Sequence, residues 1–349
     1  MNLSTRRKAQ LRMRAKVGGY AVLGGGLYGM IADVASGEAR YFLGFAKGAF
    51  IGLFITGLVV AFNWYWYQTR PGETLRKLPF TAAVLLKTVV YLMIIVVGIR
   101  LGIRLFDPTR PLAFNLLSPI FLTGVAFAVL FIFVLNFVFE VNRLLGQNAL
   151  ANFIFGAYYR PRQEQRVFLI VDIIGSTGIA EKLGDVQFLA FLNQFYRDMS
   201  DPILEHRGEV HKYVGDEAIV TWPLERGVED ARCVHCYFGM LEAIAKRREA
   251  YRRAFGLVPE FRAALHAGPV VAGEMGELKR EIVFLGDTLN TAARIAEATK
   301  DAKHPCLISD DLLKRLELPS AFAVENLGRT HLRGREHSIT LFALSKSDA

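Results

Sequence analysis

Two aspartates, Asp172 and Asp216, stand where their side chains can hold a divalent metal. Asp172 ends the apolar run 167–171 and precedes a Gly-Ser-Thr turn at 175–177. Asp216 lies between two short apolar stretches, a pattern that predicts the tip of a β-hairpin. Two carboxylates at one edge of a sheet suit Mg²⁺ or Mn²⁺ carrying a polyphosphate. Each aspartate alone is also typical of a helix cap or a turn.

A second pair of polar residues lies in segment 286–294. Asn290 and Arg294 are four residues apart in a predicted helix, so they project from one face of it. An amide beside a guanidinium suits the orientation of a ribose and the neutralisation of charge on a phosphate. An ordinary surface pair explains the same spacing. The sequence has no phosphate-cradling glycine motif, so a triphosphate would depend on metals, helix N-termini and cationic side chains.

The C-terminal half has the pattern of an α+β domain that contains a β-hairpin. The predicted helices cover about 176–205, with a break near Gly184, then 226–254 and 288–299. The predicted strands cover about 166–172, 208–214, 217–222, 260–273, 279–285, 305–309, 321–330 and 337–344.

The composition of the N-terminal half predicts a membrane domain. The chain is 52% hydrophobic, too apolar for an ordinary soluble domain. Residues 1–160 carry 17 Lys and Arg against 5 Asp and Glu, whereas the remainder carries 25 against 28. The basic residues flank apolar segments, which indicates membrane topology and argues against nucleic acid as a partner. Four transmembrane helices are predicted, at about 17–32, 48–67, 80–99 and 112–139, and the last three have the length that a bilayer requires.

These segments predict four parts of the chain and a location in the cytoplasmic (inner) membrane. Basic residues before the first span and between the second and third favour a multi-pass topology with both chain ends in the cytoplasm. The C-terminal half would then be cytoplasmic. The predicted parts are a basic segment 1–16, a membrane domain 17–139, a helical linker 140–165 able to form a coiled coil, and the α+β domain 166–345.

Several other candidate sites are weaker. Cys233, Cys236 and Cys306 form no disulfide framework, and the Cys-Val-His-Cys run at 233–236 lacks the second half of a metal site. No histidine lies in the membrane half, so a bis-histidine haem is not expected there. Lys47 and Lys87 lie in or near the spans, where snorkelling to an interface is favoured over a functional role.

The order and spacing of three motifs in this chain resemble the catalytic domain of class III nucleotidyl cyclases. The motifs are the strand with its Asp-Ile-x-Gly-Ser-Thr turn, the Lys-x-x-Gly-Asp-Glu hairpin and the Gly-Asp-x-x-Asn-x-x-x-Arg helix, and the likeness covers about residues 160–345. The resemblance implies a ferredoxin-like βαββαβ core, a homodimer with active sites at its interface, and two Mg²⁺ or Mn²⁺ per active site.

The resemblance also assigns catalytic roles to five positions. Asp172 and Asp216 would hold the two metals, together with the backbone carbonyl of Ile173. Asn290 and Arg294 would come from the partner chain, to orient the ribose and to stabilise the transition state. The implied reaction is an intramolecular phosphoryl transfer assisted by two metals.

Three further positions are implied to contact the substrate. Lys212 lies where adenylate-forming members place a lysine that contacts adenine N1. Arg335 replaces the lysine that binds the triphosphate. Val283 lies where the family usually has Asp or Thr to contact the adenine amino group, so this chain departs from the pattern at the position that separates ATP from GTP.

The sequence therefore predicts a membrane-bound adenylate cyclase that converts ATP to 3′,5′-cyclic AMP and pyrophosphate, with ATP, a second copy of the chain and the lipid bilayer as partners. Regulation through the membrane domain and an unknown membrane ligand are left open. A guanylate or relaxed-specificity purine cyclase is one alternative, and a non-catalytic receptor with a degenerate cyclase domain is another. A diguanylate cyclase is disfavoured, because it would need Gly at position 214 and Phe at position 218, where this chain has Val214 and Ala218.

Overall fold

The protein forms two compact units, Met1–Glu140 and Val141–Ala349, in a computed structural model. The structure describes residues 5–35, 41–68, 80–106, 119, 122–131, 134, 156, 158–278, 280–302, 304–332 and 338–347.

The described part of the N-terminal unit is helical. Three of its helices contain segments that are long and apolar enough to cross a membrane: Val17–Val34, Tyr41–Asn63 and Leu86–Phe106. The fourth predicted span, 112–139, is represented by a shorter apolar helix, and most of its other residues lie outside the described ranges, as do residues 140–155 of the predicted linker 140–165. The last four residues of that predicted linker, 162–165, belong instead to the first strand of the C-terminal unit. The helices are α1 Thr5–Ala35, α2 Tyr41–Gln68, α3 Phe80–Phe106 and α4 Leu122–Phe131.

Glycines allow α1 and α2 to pack with their backbones in contact. A Cβ atom added at Gly25 or Gly29 of α1 would collide with the carbonyl oxygen of Gly48 or Gly44 of α2. Small residues at four-residue spacing permit this close approach in membrane helices, where van der Waals packing takes the place of hydrophobic burial. A larger side chain at any of these four positions would push the two helices apart.

Two lysines of the spans have partners within this unit. Lys47 Nζ lies 3.3 Å from the Asp33 carboxylate, and Asp33 is buried. Lys87 Nζ lies 5.0 Å from the centre of the Trp66 ring, a cation–π contact. Both lysines therefore contribute to helix packing.

The C-terminal unit is built on one mixed sheet with the strand order β2-β3-β1-β4-β6-β8-β7, and β5 pairs with the far end of β4. Along β2-β3-β1-β4 each strand is antiparallel to its neighbour, and helices make the β1–β2 and β3–β4 crossovers. This arrangement confirms the predicted ferredoxin-like βαββαβ fold. The strands are β1 Arg162–Ile173, β2 Glu209–Val214, β3 Glu217–Pro223, β4 Phe261–Met275, β5 Glu281–Leu285, β6 Cys306–Ser309, β7 Phe322–Thr330 and β8 Ile339–Lys346.

Helices cover both faces of this sheet. One core cluster joins the Val167, Leu169 and Val171 face of β1 to α6 and α8, and a second joins the Phe168 and Ile170 face to α10. The alternation follows from the two-residue period of a strand. The predicted break at Gly184 is present, because this residue adopts φ 75° between α5 and α6. The helices are α5 Ser176–Leu183, α6 Asp185–Glu205, α7 Leu224–Val228, α8 Arg232–Lys246, α9 Arg248–Phe255, α10 Asp287–Ala298 and α11 Asp310–Leu313.

The three cysteines lie in the core. Cys233 and Cys236 of α8 and Cys306 of β6 are all buried with free thiols. Burial raises the pKa of each thiol, so these groups stay protonated and unreactive.

Candidate active site

Asp172 lies near the end of β1, on the sheet face that carries Phe168 and Ile170. Its register partners are Glu217 on β3 and Arg262 on β4. Arg262 Nε donates a hydrogen bond of 2.8 Å to Asp172 Oδ2, and both side chains are mostly buried. Strand β1 therefore presents the Asp172 carboxylate between the carboxylate of Glu217 and the guanidinium of Arg262.

Asp216 lies in the β2–β3 turn, next to Asp172. The preceding Gly215 has φ 61°, a conformation that a glycine adopts without steric cost. Tyr196 of α6 donates a hydrogen bond of 2.8 Å to the Gly215 carbonyl and so fixes the turn. The hairpin thus delivers the second aspartate to the end of β1, as the sequence predicts.

The carboxylates at this end of the sheet repel one another. Burial raises the pKa of Asp172, and Asp216 raises it further, although Arg262 acts in the opposite direction. Burial and the charges of Asp172 and Asp216 also raise the pKa of Glu217, against the influence of Lys300. A bound cation would relieve this repulsion.

The donor set fits a hard divalent cation. Asp172 and Asp216 supply carboxylate oxygens, and the backbone carbonyl of Ile173 follows directly in the chain. Ile173 is buried, and the next amide, of Ile174, donates a 2.8 Å hydrogen bond to the Glu260 carbonyl, which holds the segment in place. Within the described residues no three His, Cys, Asp or Glu side chains converge on one point, so substrate phosphates or water would complete the coordination.

Asn290 and Arg294 project from α10, away from the sheet. Thr288, Ala292 and Ile295 on the same helix are buried, whereas Asn290 is exposed and Arg294 is half-buried. The side chains of Asn290 and Arg294 form no hydrogen bond or ion pair with any residue that the structure describes. The predicted shared helix face is present, and its two polar side chains have no polar partner in the described part of the chain.

The side chain of Lys212 lies next to β5 of the same chain. Its Nζ atom is 3.5 Å from Glu281 Oε2, at the start of β5. Val283, two residues further along that strand, is half-buried. Arg335 lies outside the described residues, so its predicted contact with the triphosphate is not placed.

Sequence reasoning missed Arg262 and Glu217. Arg262 is a lone cation inside the apolar run 261–267, a signal that could have been noticed. Glu217 directly follows Asp216, but its place opposite Asp172 depends on the register of β3 against β1.

A βαββαβ sheet with paired aspartates at the ends of β1 and the β2–β3 turn defines the catalytic domain of a nucleotidyl cyclase. Residues 158–346 match the family model described as "Adenylate and Guanylate cyclase catalytic domain", and the chain belongs to this family. The predicted resemblance to class III cyclases is thereby confirmed. Members of the family bind nucleotides, act as dimers and use divalent metals.

Named relatives are similar to part of this chain. "Adenylate cyclase 2" of Rhizobium meliloti (strain 1021) is 40% identical over 209 residues, which are 60% of this chain and 58% of the relative. "Adenylate cyclase" of Anabaena cylindrica is 26% identical over 180 residues, 50% of this chain and 35% of the relative. The chain therefore spans less than two thirds of the length of either.

A solved structure supports the fold. The structure of a bacterial light-regulated adenylyl cyclase superposes with a TM-score of 0.54 at 19% identity, covering 66% of this chain and 67% of that one. At this identity the likeness concerns the fold alone.

Proposed function

We propose that the protein is a membrane-bound adenylate cyclase that converts ATP to 3′,5′-cyclic AMP and pyrophosphate at the interface of a homodimer. The observation that carries this proposal is the division of the site. Asp172 and Asp216 adjoin each other at the end of the sheet, whereas Asn290 and Arg294 have no partner among the described residues. The 40% identity to a protein named adenylate cyclase supports the choice of reaction.

Asp172, Asp216 and the carbonyl of Ile173 would hold two Mg²⁺ or Mn²⁺ ions. When bound, such ions lower the pKa of the ribose 3′-hydroxyl and neutralise charge on the polyphosphate. Arg262 holds Asp172 in place through its 2.8 Å hydrogen bond. This pairing keeps the carboxylate oriented before the nucleotide arrives.

Asn290 and Arg294 of a second copy would act on the ribose and the α-phosphate. The amide of Asn290 orients the ribose, so that its 3′ oxygen lies in line with the α-phosphorus. As the bond between this oxygen and phosphorus forms, the bond to pyrophosphate breaks and the hydroxyl proton passes to solvent. Arg294 offsets the charge that develops on the α-phosphate, and Arg335 would contribute a further cation to the triphosphate.

Lys212 would donate a hydrogen bond to adenine N1. Val283 offers no side-chain acceptor for the amino group of adenine, and this observation favours a guanylate or relaxed-specificity cyclase as the second candidate. The ammonium of Lys212 supports adenine, because N1 of adenine is an acceptor and N1 of guanine carries a proton.

The apolar helices α1, α2 and α3 would anchor the enzyme in the cytoplasmic membrane, with segment 112–139 as the fourth span. The basic segment 1–16 would lie on the cytoplasmic side, together with the catalytic domain. Regulation through the membrane domain would then reach the catalytic domain along segment 140–165.

The test is cyclic-nucleotide formation by the full chain purified in detergent, with ATP or GTP and Mn²⁺. We expect cyclic AMP as the main product, identified by mass spectrometry. Cyclic GMP as the main product would make the protein a guanylate cyclase. No cyclic product from either nucleotide would favour the non-catalytic receptor.

A further inference from the structure

The short strand β5 pairs with the end of β4, and Phe284 anchors it in the core cluster that contains Phe168. The Phe284 ring packs against Phe168 of β1 at 5.9 Å and against His211 of β2 at 4.9 Å, centre to centre. The guanidinium of Arg166 lies 4.4 Å from the centre of the same ring. Three side chains from two strands therefore fix the position of β5 relative to β2.

Arg166 is a rigid support for this contact. It is almost fully buried, and its guanidinium pairs with Glu164 at 2.8 Å and Glu209 at 3.1 Å and donates to Thr221 at 3.1 Å. A buried guanidinium with its donors satisfied holds a single orientation. The stretch of β5 around Phe284 is thus placed by the core rather than by exposed loops.

The residues that alternate with Phe284 point away from this support. Ile282 and Phe284 face the core, so Glu281, Val283 and Leu285 share the other side of the strand. Successive residues on one side of a strand are about 7 Å apart. Glu281 therefore lies beside Val283 on the same surface, with a long side chain that can lean along the strand.

Lys212 faces this surface and meets Glu281. The two charged groups are 3.5 Å apart, and both side chains remain partly exposed. They form an ammonium donor and a carboxylate acceptor side by side, with the apolar Val283 as their neighbour. A donor beside an acceptor in this order complements the N1 and amino groups of adenine.

We infer that Glu281 is the residue that selects adenine, by accepting a hydrogen bond from the amino group that Val283 cannot bind. The inference rests on the proposed function, in which Lys212 contacts N1 of the base. Adenine presents an acceptor at N1 and a donor at position 6, which match Lys212 and Glu281 in that order. Guanine presents a donor at N1 and an acceptor at position 6, so each contact would become repulsive.

The ion pair contributes little to folding, so the role of Glu281 can be tested without loss of structure. Exposed ion pairs of this kind are weak, because solvent screens their attraction. Glu281→Ala and Glu281→Gln should therefore fold normally in the full chain. Glu277, which is exposed in the loop between β4 and β5, provides a matched control as Glu277→Gln.

The experiment measures kcat/KM for ATP and GTP with the full chain in detergent and Mn²⁺. We expect Glu281→Ala to lower the ratio of kcat/KM for ATP to kcat/KM for GTP by at least about tenfold, because a hydrogen bond to the adenine amino group is lost for ATP and a repulsion is lost for GTP. Glu277→Gln should leave the ratio unchanged. Adding Val283→Asp to Glu281→Ala should restore the preference for ATP, since it returns a carboxylate to the same side of β5.

A ratio that stays within twofold of the original in Glu281→Ala would overturn the inference, as would a preference of the unaltered chain for GTP. Equilibrium binding of 3′-deoxyATP and 3′-deoxyGTP, which cannot cyclise, gives a second readout. If the unaltered chain forms no cyclic product, the proposed function fails. Binding would still decide the role of Glu281: tighter binding of 3′-deoxyATP than of 3′-deoxyGTP, lost in Glu281→Ala, would support it, and an unchanged preference would contradict it.

Discussion

The aspartate end of the site and the α10 face that carries Asn290 and Arg294 differ in how many polar partners a single chain provides for their side chains. At the aspartate end, Asp172 has Arg262 as a hydrogen-bond partner at 2.8 Å, and Asp216 sits on a turn fixed by Tyr196. On α10, Asn290 and Arg294 have no such partner among the described residues. One chain thus fixes the position of the groups that would hold metal. The groups that would act on the transition state have no such support within the described part of the same chain.

This difference has a physical reason. Adjacent carboxylates repel each other and must be held by the fold before a cation can bind. The partly exposed guanidinium of Arg294 can be hydrated, so it needs no charged partner until the substrate arrives. A site divided in this way can be completed by a second copy in a two-fold dimer, in which each surface meets its counterpart.

The largest effect is expected at the aspartate end. Asp172→Ala or Asp216→Ala should lower cyclase activity by on the order of a thousandfold or more, because each removes a carboxylate that would hold metal. The measurement is cyclic AMP formation with Mn²⁺ by the full chain in detergent. Asp185→Ala, at an exposed position at the start of α6, is the control and should retain activity. Substantial activity with Mn²⁺ in either site variant would refute the metal assignment.

A smaller but more discriminating effect is expected on α10. Arg294→Ala should lower kcat by about a hundredfold to a thousandfold, with less effect on KM, because its charge is needed mainly in the transition state. Co-expression of Arg294→Ala with Asp172→Ala should restore activity to about a quarter of the unaltered level. Random pairing gives heterodimers in half of the dimers, each with one intact site of two.

The control for this complementation pairs two variants on the same surface. Asn290→Ala mixed with Arg294→Ala leaves a defect in every site and should give no recovery. Equal recovery in both mixtures, or none in either, would contradict a site shared between two copies.

The sequence predicted the elements of the catalytic domain better than their contacts. Strand β1 and the break at Gly184 follow from local patterns, namely an apolar run and a glycine in a helical stretch. The predicted helix 226–254 is instead three helices and a short 3-10 turn, in which Asp230 and Ala231 adopt positive φ values. Nothing in the residue types there marks such a kink.

The candidate site was predictable where it depends on motifs along the chain and not where it depends on strand pairing. Asp172 and Asp216 follow recognisable local patterns. Glu217 and Arg262 reach Asp172 through the register of β3 and β4, and Glu281 reaches Lys212 because β5 pairs back on the end of β4. Pairing between segments that are distant in sequence is set by the whole fold, so a single sequence does not reveal it.

The contact between Arg262 and Asp172 should carry stability as well as function. Arg262→Gln removes a charged hydrogen bond between two side chains that are each 16% exposed, and we expect a loss of about 1.5–3 kcal/mol in the free energy of unfolding. Chemical denaturation of the full chain in detergent, followed by tryptophan fluorescence, measures it. Arg252→Gln, which breaks the exposed Arg252–Glu249 pair, should cost less than about 1 kcal/mol. Similar losses in both variants would show that the Asp172 contact is no stronger than a surface pair.

The smallest effect concerns the pH dependence of the metal-free chain. The pKa of Asp172 is raised from its ordinary value of 3.8 by burial and by Asp216, so the folded state disfavours its ionised form. The stability linked to this group is complete below pH 3.8 and is lost as the pH rises through the raised pKa. Asp216→Asn removes the neighbouring charge and should raise Tm at pH 7 by about 2–4 °C, which corresponds to about 1 kcal/mol. Thermal unfolding in EDTA between pH 4 and pH 7 tests this, and the gain should shrink towards pH 4, where Asp172 is closer to neutral in both chains. A gain that is independent of pH would mean that Asp216 acts through packing rather than through its charge on Asp172.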